Sequence, residues 1–166
     1  MYDIWGQPTF LCAGSFIANL KVRSGLSGLN LPTEAQWECA CRAGSTGDYY
    51  WPEITGANMP NWASGNWWYP DVGFTGALKK VGSYPANPWG LYDMYGNAWA
   101  WCLDWYGEMS GSEGTVKDYG GPASSMDNSK VLRGGGSGSD AYAYKCSSTY
   151  RGSTSPLYAY PVISFR

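Results

Sequence analysis

The sequence predicts an α+β domain with two helices near its start, a small twisted antiparallel sheet late in the chain, and long ordered loops. Three observations predict it. Apolar residues recur at helical spacing early in the chain, whereas residues 98–103 alternate with a period of two. Between Ser45 and Asn87 neither period holds, yet Trp51, Trp62, Trp67 and Trp68 fall there. So many rings cannot all be left in water, and a loop of this length within one domain is normally functional or pinned.

Met1 to Gln7 reads as a short strand, and Pro8-Thr9 then opens a helical pattern. Ala13, Phe16, Ile17 and Leu20 line one apolar face of a helix near 9–22, which Gly25 and Gly28 end. The helix near 34–43 is better marked, because Thr33 and Gln36 fit a capping box. Leu31 and Trp37 are placed for a hydrophobic staple, Ala40 and Cys41 continue the Trp37 face, and Gly44 supplies the stop. Val81 to Pro85 reads as a short strand and its exit. The stretch from Gly90 to Tyr106 organises the rest. Gly96-Asn97 is a turn dipeptide, after which Ala98, Ala100 and Cys102 alternate with Trp99, Trp101 and Leu103. A strand apolar on both faces is central and buried, and each indole contributes on the order of 3 kcal/mol when buried. Gly107 to Lys130 is loop with a turn at Gly120-Gly121-Pro122. Val131-Leu132-Arg133 is a strand running into Gly134-Gly135-Gly136, where the backbone bends or closely approaches something. Val162 to Arg166 closes the chain as a strand.

The 166 residues suffice for a single domain, 1–166, with a real core. Net charge is −2 with no basic cluster, which argues against duplex nucleic acid as a partner. No apolar run approaches the roughly 20 residues that span a bilayer, so direct membrane insertion is not expected, and no signal peptide is visible at Met1. Histidine is absent, which removes histidine-dependent acid–base and nucleophilic chemistry. The five cysteines are odd in number and contain no Cys-x-x-Cys. Cys12, Cys39 and Cys102 sit in apolar contexts and read as small core residues.

Four blocks occur in order. They are Leu31-Pro32-Thr33-Glu34-Ala35-Gln36-Trp37-Glu38 with Arg42-Ala43-Gly44; Gly90-Leu91-Tyr92-Asp93-Met94 with Gly96-Asn97, Trp99 and Trp101; Val131-Leu132-Arg133-Gly134-Gly135; and Phe165-Arg166. Together they resemble the formylglycine-generating-enzyme (sulfatase-modifying factor) family from about Leu31 to Arg166. The resemblance implies a C-type-lectin-like fold in which the termini come together. Oxygen-using members carry a copper-binding cysteine pair shortly after the Arg-Gly-Gly block. Ser137 to Tyr144 contains no cysteine and Cys146 stands alone, so a two-thiolate site cannot form there and the chain is expected not to be an enzyme. Iron-dependent relatives use histidines, which this chain lacks. Members of the family also hold calcium. One such site corresponds to Asp93, Gly96, Ala98 and Ala100, where Ala100 offers no carboxylate. A second, on the long loop, corresponds to Asn58, Met59, Asp71 and Phe74, where a structural calcium ion is expected if one is bound.

The blocks also resemble the variable proteins of diversity-generating retroelements, whose C-terminal end is rewritten by adenine-directed mutagenesis. An Asn-type codon with a fixed last base cannot become Trp, Glu, Gln, Met or Lys. From Gly136 to Ser164 there is no Trp, Glu, Gln or Met, and the one Lys is Lys145. Tyr, Ser and Gly prevail instead, as in antibody binding loops. The resemblance implies a variable ligand-binding segment at about 134–164, on a protein displayed on a cell surface or viral particle. With both ends of that segment fixed by strand pairing, its middle arches over one face. The expected exposed set is Ser139, Asp140, Tyr142, Tyr144, Ser147, Thr149, Tyr150, Ser153, Thr154, Tyr158 and Tyr160, with Ala141, Cys146 and Arg151 inward or holding the backbone. The ligand is then a protein or a glycan that varies with the tail. The alternative is a non-catalytic family domain with a fixed ligand such as a glycan.

Overall fold

The computed structural model describes residues 16–51, 78–83, 85–109, 119–136, 143–157 and 160–165. The strand expected at Met1 to Gln7, Cys12, and Trp62, Trp67 and Trp68 lie outside them. The chain falls into two compact units, Met1–Leu31 and Pro32–Arg166. The first contains helix α1, Phe16–Ser24, which ends where Gly25 takes φ 72° and donates its N–H to the Lys21 carbonyl at 2.9 Å. Ile17 is its buried residue, while Phe16 is exposed.

The second unit opens on α2, Glu34–Arg42. Thr33 Oγ1 accepts the Gln36 N–H at 3.2 Å, and Gln36 Oε1 accepts the Thr33 N–H at 3.0 Å, which completes the capping box. Its far end corrects the expectation of a Gly44 stop. Ala43, not glycine, first takes the left-handed conformation, at φ 46°, and Gly44 follows at φ 90°. Arg42 compensates by donating to the Glu38 carboxylate and to the carbonyls of Thr46 and Gly47, which holds the exit closed.

A four-stranded sheet follows: β1 Trp99–Trp105, β2 Lys130–Arg133, β3 Gly152–Thr154 and β4 Ile163–Ser164, in the order β3-β2-β1-β4. β1 begins only at Trp99 because Asn97 is left-handed at φ 67°, its side-chain amide holding Lys79 through both N–H and C=O. β1 pairs antiparallel with β2, placing Ala100 opposite Arg133 and Trp101 opposite Leu132; β2 pairs antiparallel with β3. β4 pairs parallel to β1, Trp99 opposite Ile163, so the sheet is mixed rather than antiparallel. The reason is topological. β3 and β4 run in the same direction on opposite edges, so the chain between them must cross the sheet instead of turning back. Where a strand is expected at Val81 to Pro85, Val81 and Gly82 form a turn closed by Ser83 N–H to the Lys80 carbonyl, and Tyr84 lies outside the described residues.

Alternation along β1 divides its side chains. Ala100 and Cys102 join Val131, Trp37, Cys41, Met94 and Tyr95 in the core, with Tyr49, Tyr50 and Trp51 packed against it. The thiols correct the sequence reading in part: Cys41, Cys102 and Cys146 are buried, whereas Cys39, expected inside, is exposed. Trp99 and Trp101 occupy the other face and are also buried.

Candidate functional site

The C-terminal segment is held to the scaffold by two arginines. Arg133 on β2 is 1% exposed; it pairs with Glu34 and Glu38 of α2 and donates to the Tyr150 carbonyl. Arg151 grips Glu34 through two parallel bonds, Nε to Oε1 at 2.7 Å and Nη2 to Oε2 at 2.8 Å, and donates Nη1 to the Gly107 carbonyl at 2.9 Å. These hydrogen bonds to Glu34 push the guanidinium pKa above its ordinary value. Bidentate, half-buried pairing of this kind fixes geometry as well as charge. Glu34 therefore joins an arginine before the segment to one within it. Between them, the Ser148 N–H donates to the Asp48 carbonyl at 2.8 Å, and Ser147 Oγ accepts the Tyr150 N–H at 3.2 Å.

The tight glycine block at the start of the segment is explained by what it touches. A Cβ on Gly136 would lie 2.4 Å from Trp99 Cδ1, and one on Gly135, at φ 72°, would lie 2.6 Å from Cys146 Sγ. Only backbone without a side chain can lie this close. A Cβ on Gly152 would lie 3.0 Å from the far edge of the same indole, so Trp99 is held between two glycines. Tyr150 lies across from it, ring centres 6.1 Å apart, and Tyr144 meets Tyr150 edge-on at 5.5 Å. Beside these rings opens a cavity of about 370 Å³, lined among others by Trp99, Leu132, Tyr150, Thr154, Tyr160 and Ile163.

Of the residues expected on the surface, Tyr144, Thr149, Ser153 and Tyr160 are exposed, and Tyr150 and Thr154 are half-buried. Tyr150, Ser153, Thr154 and Tyr160 meet at the cavity. Ser147 is a correction: it is buried, because its hydroxyl and backbone close the turn onto Tyr144 and Tyr150. Cys146 is buried and Arg151 holds the backbone. Ser139, Asp140, Ala141, Tyr142 and Tyr158 lie outside the described residues, as do Asn58, Met59, Asp71 and Phe74 of the loop calcium site. Sequence reasoning did not place Trp99, Leu132 or Ile163 at this site. Their apolar character signalled core, and only the parallel pairing of β4 brings Ile163 beside Trp99.

At the other family calcium position, Asp93 Oδ2 accepts the Gly82 N–H at 2.8 Å, and Oδ1 is buried with no hydrogen-bond partner. Ala98 and Ala100 add no side-chain oxygen and Ala100 is fully packed in the core, so these residues do not fit a cation that takes six or more oxygens. Among the described residues no group of three or more Cys, Asp or Glu could hold a metal ion, and no helix is long and apolar enough to cross a membrane. Burial and desolvation push the Cys102 thiol far above its ordinary pKa, so it supplies no thiolate.

Comparison with known proteins bears on the whole arrangement. Residues 15–166 match the model of the sulfatase-modifying factor enzyme 1-like domain. A formylglycine-generating enzyme of Streptomyces coelicolor is 34% identical over 156 residues, covering 89% of this chain and 46% of the enzyme. The serine/threonine-protein kinase pkn1 of Chlamydia caviae is 41% identical over 113 residues, 65% of this chain and 16% of the kinase. The solved structure of Treponema denticola variable protein 1 superposes with a TM-score of 0.63 at 32% identity, covering 82% of this chain and 45% of that one. The chain thus spans less than half the length of each of these proteins.

Proposed function

Because the chain belongs to the sulfatase-modifying factor enzyme 1-like family, we propose that it is a non-catalytic branch of that family, a ligand-binding protein whose C-terminal surface is diversified by a retroelement. One observation carries this reading: Trp, Glu, Gln and Met, which adenine mutagenesis of Asn-type codons cannot make, are all absent from Gly136 to Ser164, and Lys145 is the one lysine there. The likeness to a variable protein supports it, as does the gathering of Tyr150, Ser153, Thr154 and Tyr160 around one cavity. The proposal includes display on a cell surface or viral particle, where a variable protein or glycan ligand would be met. Against oxidase chemistry stand the lone Cys146 and the missing cysteine pair. The alternative remains a family domain with a fixed ligand such as a glycan.

The DNA beside the gene tests the choice. A near-copy of the segment coding for residues 131–166, differing at adenines and close to a reverse-transcriptase gene, is the expected finding. If sequencing of that region finds no such copy, the fixed-ligand reading takes its place. A second expectation concerns stability. Tyr144 and Tyr160 are 57% and 48% exposed, so a Tyr144→Ala, Tyr160→Ala double variant should keep its melting temperature within about 2 °C. A fall beyond 5 °C or so would mean that these rings are core, and a diversified surface could not include them. Turnover of a sulfatase-type cysteine peptide with copper, above background, would overturn the non-catalytic reading. Calcium belongs to the proposal as a structural ion near Asn58 and Asp71. A chelator should then lower the melting temperature, and an unchanged value would remove the ion from the account.

A further inference from the structure

The cavity beside Trp99 has a chemistry that narrows what enters it. At about 370 Å³ it is near the lower end of ligand cavities, which run from roughly 300 to 1,000 Å³, so it holds one ring system and not a chain of sugars. Its walls are apolar where Trp99, Leu132, Val162 and Ile163 meet. The polar side chains around them are the hydroxyls of Tyr150, Tyr160, Ser153 and Thr154 and the ammonium of Lys145. Among the described residues that line it, none carries a carboxylate or carboxamide. Those are the two-atom groups that can satisfy neighbouring hydroxyls in pairs. A hexose has several hydroxyls, and each one buried without a partner costs about 1–3 kcal/mol. An aromatic side chain brings a large apolar face and at most one polar atom, which one rim hydroxyl can meet.

The floor is also preformed. Trp99 is 7% exposed and packed between glycines: a Cβ at Gly136 would lie 2.4 Å from it, too close for any side chain, and one at Gly152 would lie 3.0 Å away, so the ring has little room to turn. A rigid apolar pocket with a polar rim at the centre of a binding surface is where an aromatic anchor contributes most. We infer that this cavity receives one aromatic side chain, Tyr, Trp or Phe, projecting from a protein ligand. The inference rests on the reading of the C-terminal segment as the ligand surface and adds the class of ligand. It also divides the labour in the site. Trp99 and Leu132 precede the segment and make a floor common to every variant. The segment's own Tyr150, Thr154 and Tyr160 form the rim that selects what surrounds the anchor.

The test uses the full chain labelled with nitrogen-15, with N-acetyl-tyrosinamide, N-acetyl-tryptophanamide, N-acetyl-alaninamide and methyl glycosides as probes. The Trp99 indole N–H signal, assigned with Trp99→Phe, is the readout. Both aromatic amides should shift it saturably with a Kd of order 1 mM, and the alaninamide and the glycosides should not. Thr154 faces the cavity from an edge strand and is half-buried, so Thr154→Trp should fill the space and weaken aromatic binding at least tenfold. Ile163→Trp does the same from the opposite wall if the first variant misfolds. Saturation by a glycoside and not by the aromatic amides would make the occupant a sugar, and silence from all probes would leave the cavity without the assigned role. Either result overturns the inference whatever the flanking DNA shows, whereas a missing near-copy overturns the diversified reading whatever the titration shows.

Discussion

Replacing Glu34 by alanine is expected to lower stability by about 3–5 kcal/mol, more than any other single removal of charge, because it strands two arginines at once. The Arg133 side chain is 1% exposed and the Arg151 side chain 20%. Without Glu34, Arg133 keeps the Tyr150 carbonyl and, among the described carboxylates, Glu38, which is itself 30% exposed, and Arg151 loses both of its parallel bonds. For a chain of this length that corresponds to a fall of roughly 10 °C in melting temperature, measured by calorimetry or circular dichroism. The cause can be isolated. A Glu34→Leu, Arg133→Met double variant should be more stable than Glu34→Ala alone, since it replaces the buried pair by apolar groups and leaves only the more exposed Arg151 without its carboxylate. A loss below about 1 kcal/mol for Glu34→Ala would assign the network to the solvated class of ion pairs.

The second large effect is expected at Gly136. Its Cβ would stand 2.4 Å from Trp99 Cδ1 and 2.8 Å from Nε1, so Gly136→Ala forces either the indole or the backbone to move. Overpacking of this sort costs typically about 1–3 kcal/mol, and the rigidity of the site argues for the upper end. Gly90→Ala is the comparison. Gly90 has φ +79° but nothing within 4 Å, so only backbone strain of about 1–2 kcal/mol applies there. The two are told apart by the Trp99 indole N–H resonance, which should move in the first variant and stay in the second. An unmoved Trp99 signal in Gly136→Ala would count against the described contact.

How much of this was legible in the sequence depended on whether the cause was local. The capping box of Thr33 and Gln36 was readable because both partners lie within one helical turn. The Gly134–Gly136 bend was readable because glycine has few other reasons to occur three times in a row, although its target, Trp99, was not. β3 and β4, of three and two residues, are too short to show a period, and the direction of β4 follows from where the chain has already been. Ser147 looked like surface because it is a small polar residue among others. Its burial follows from the turn that its own hydroxyl closes, which composition does not encode. Arg151 stood out as a cation in an otherwise small and polar stretch, but its partner Glu34 is 117 residues away in sequence.

The crossing connection between β3 and β4 has a kinetic consequence. β4 is only two residues long and adds just the pairings beside Trp99 and Ala100, so little of the burial that drives folding depends on its docking. A folding nucleus of α2, β1 and β2 can assemble without it, from the Trp37, Ala100 and Val131 contacts. Substitutions in the connection then fall on the native side of the folding barrier. They alter how fast the protein opens and leave the rate at which it folds nearly unchanged. Chains that differ only there would share one route to the native state and differ in how long they stay in it.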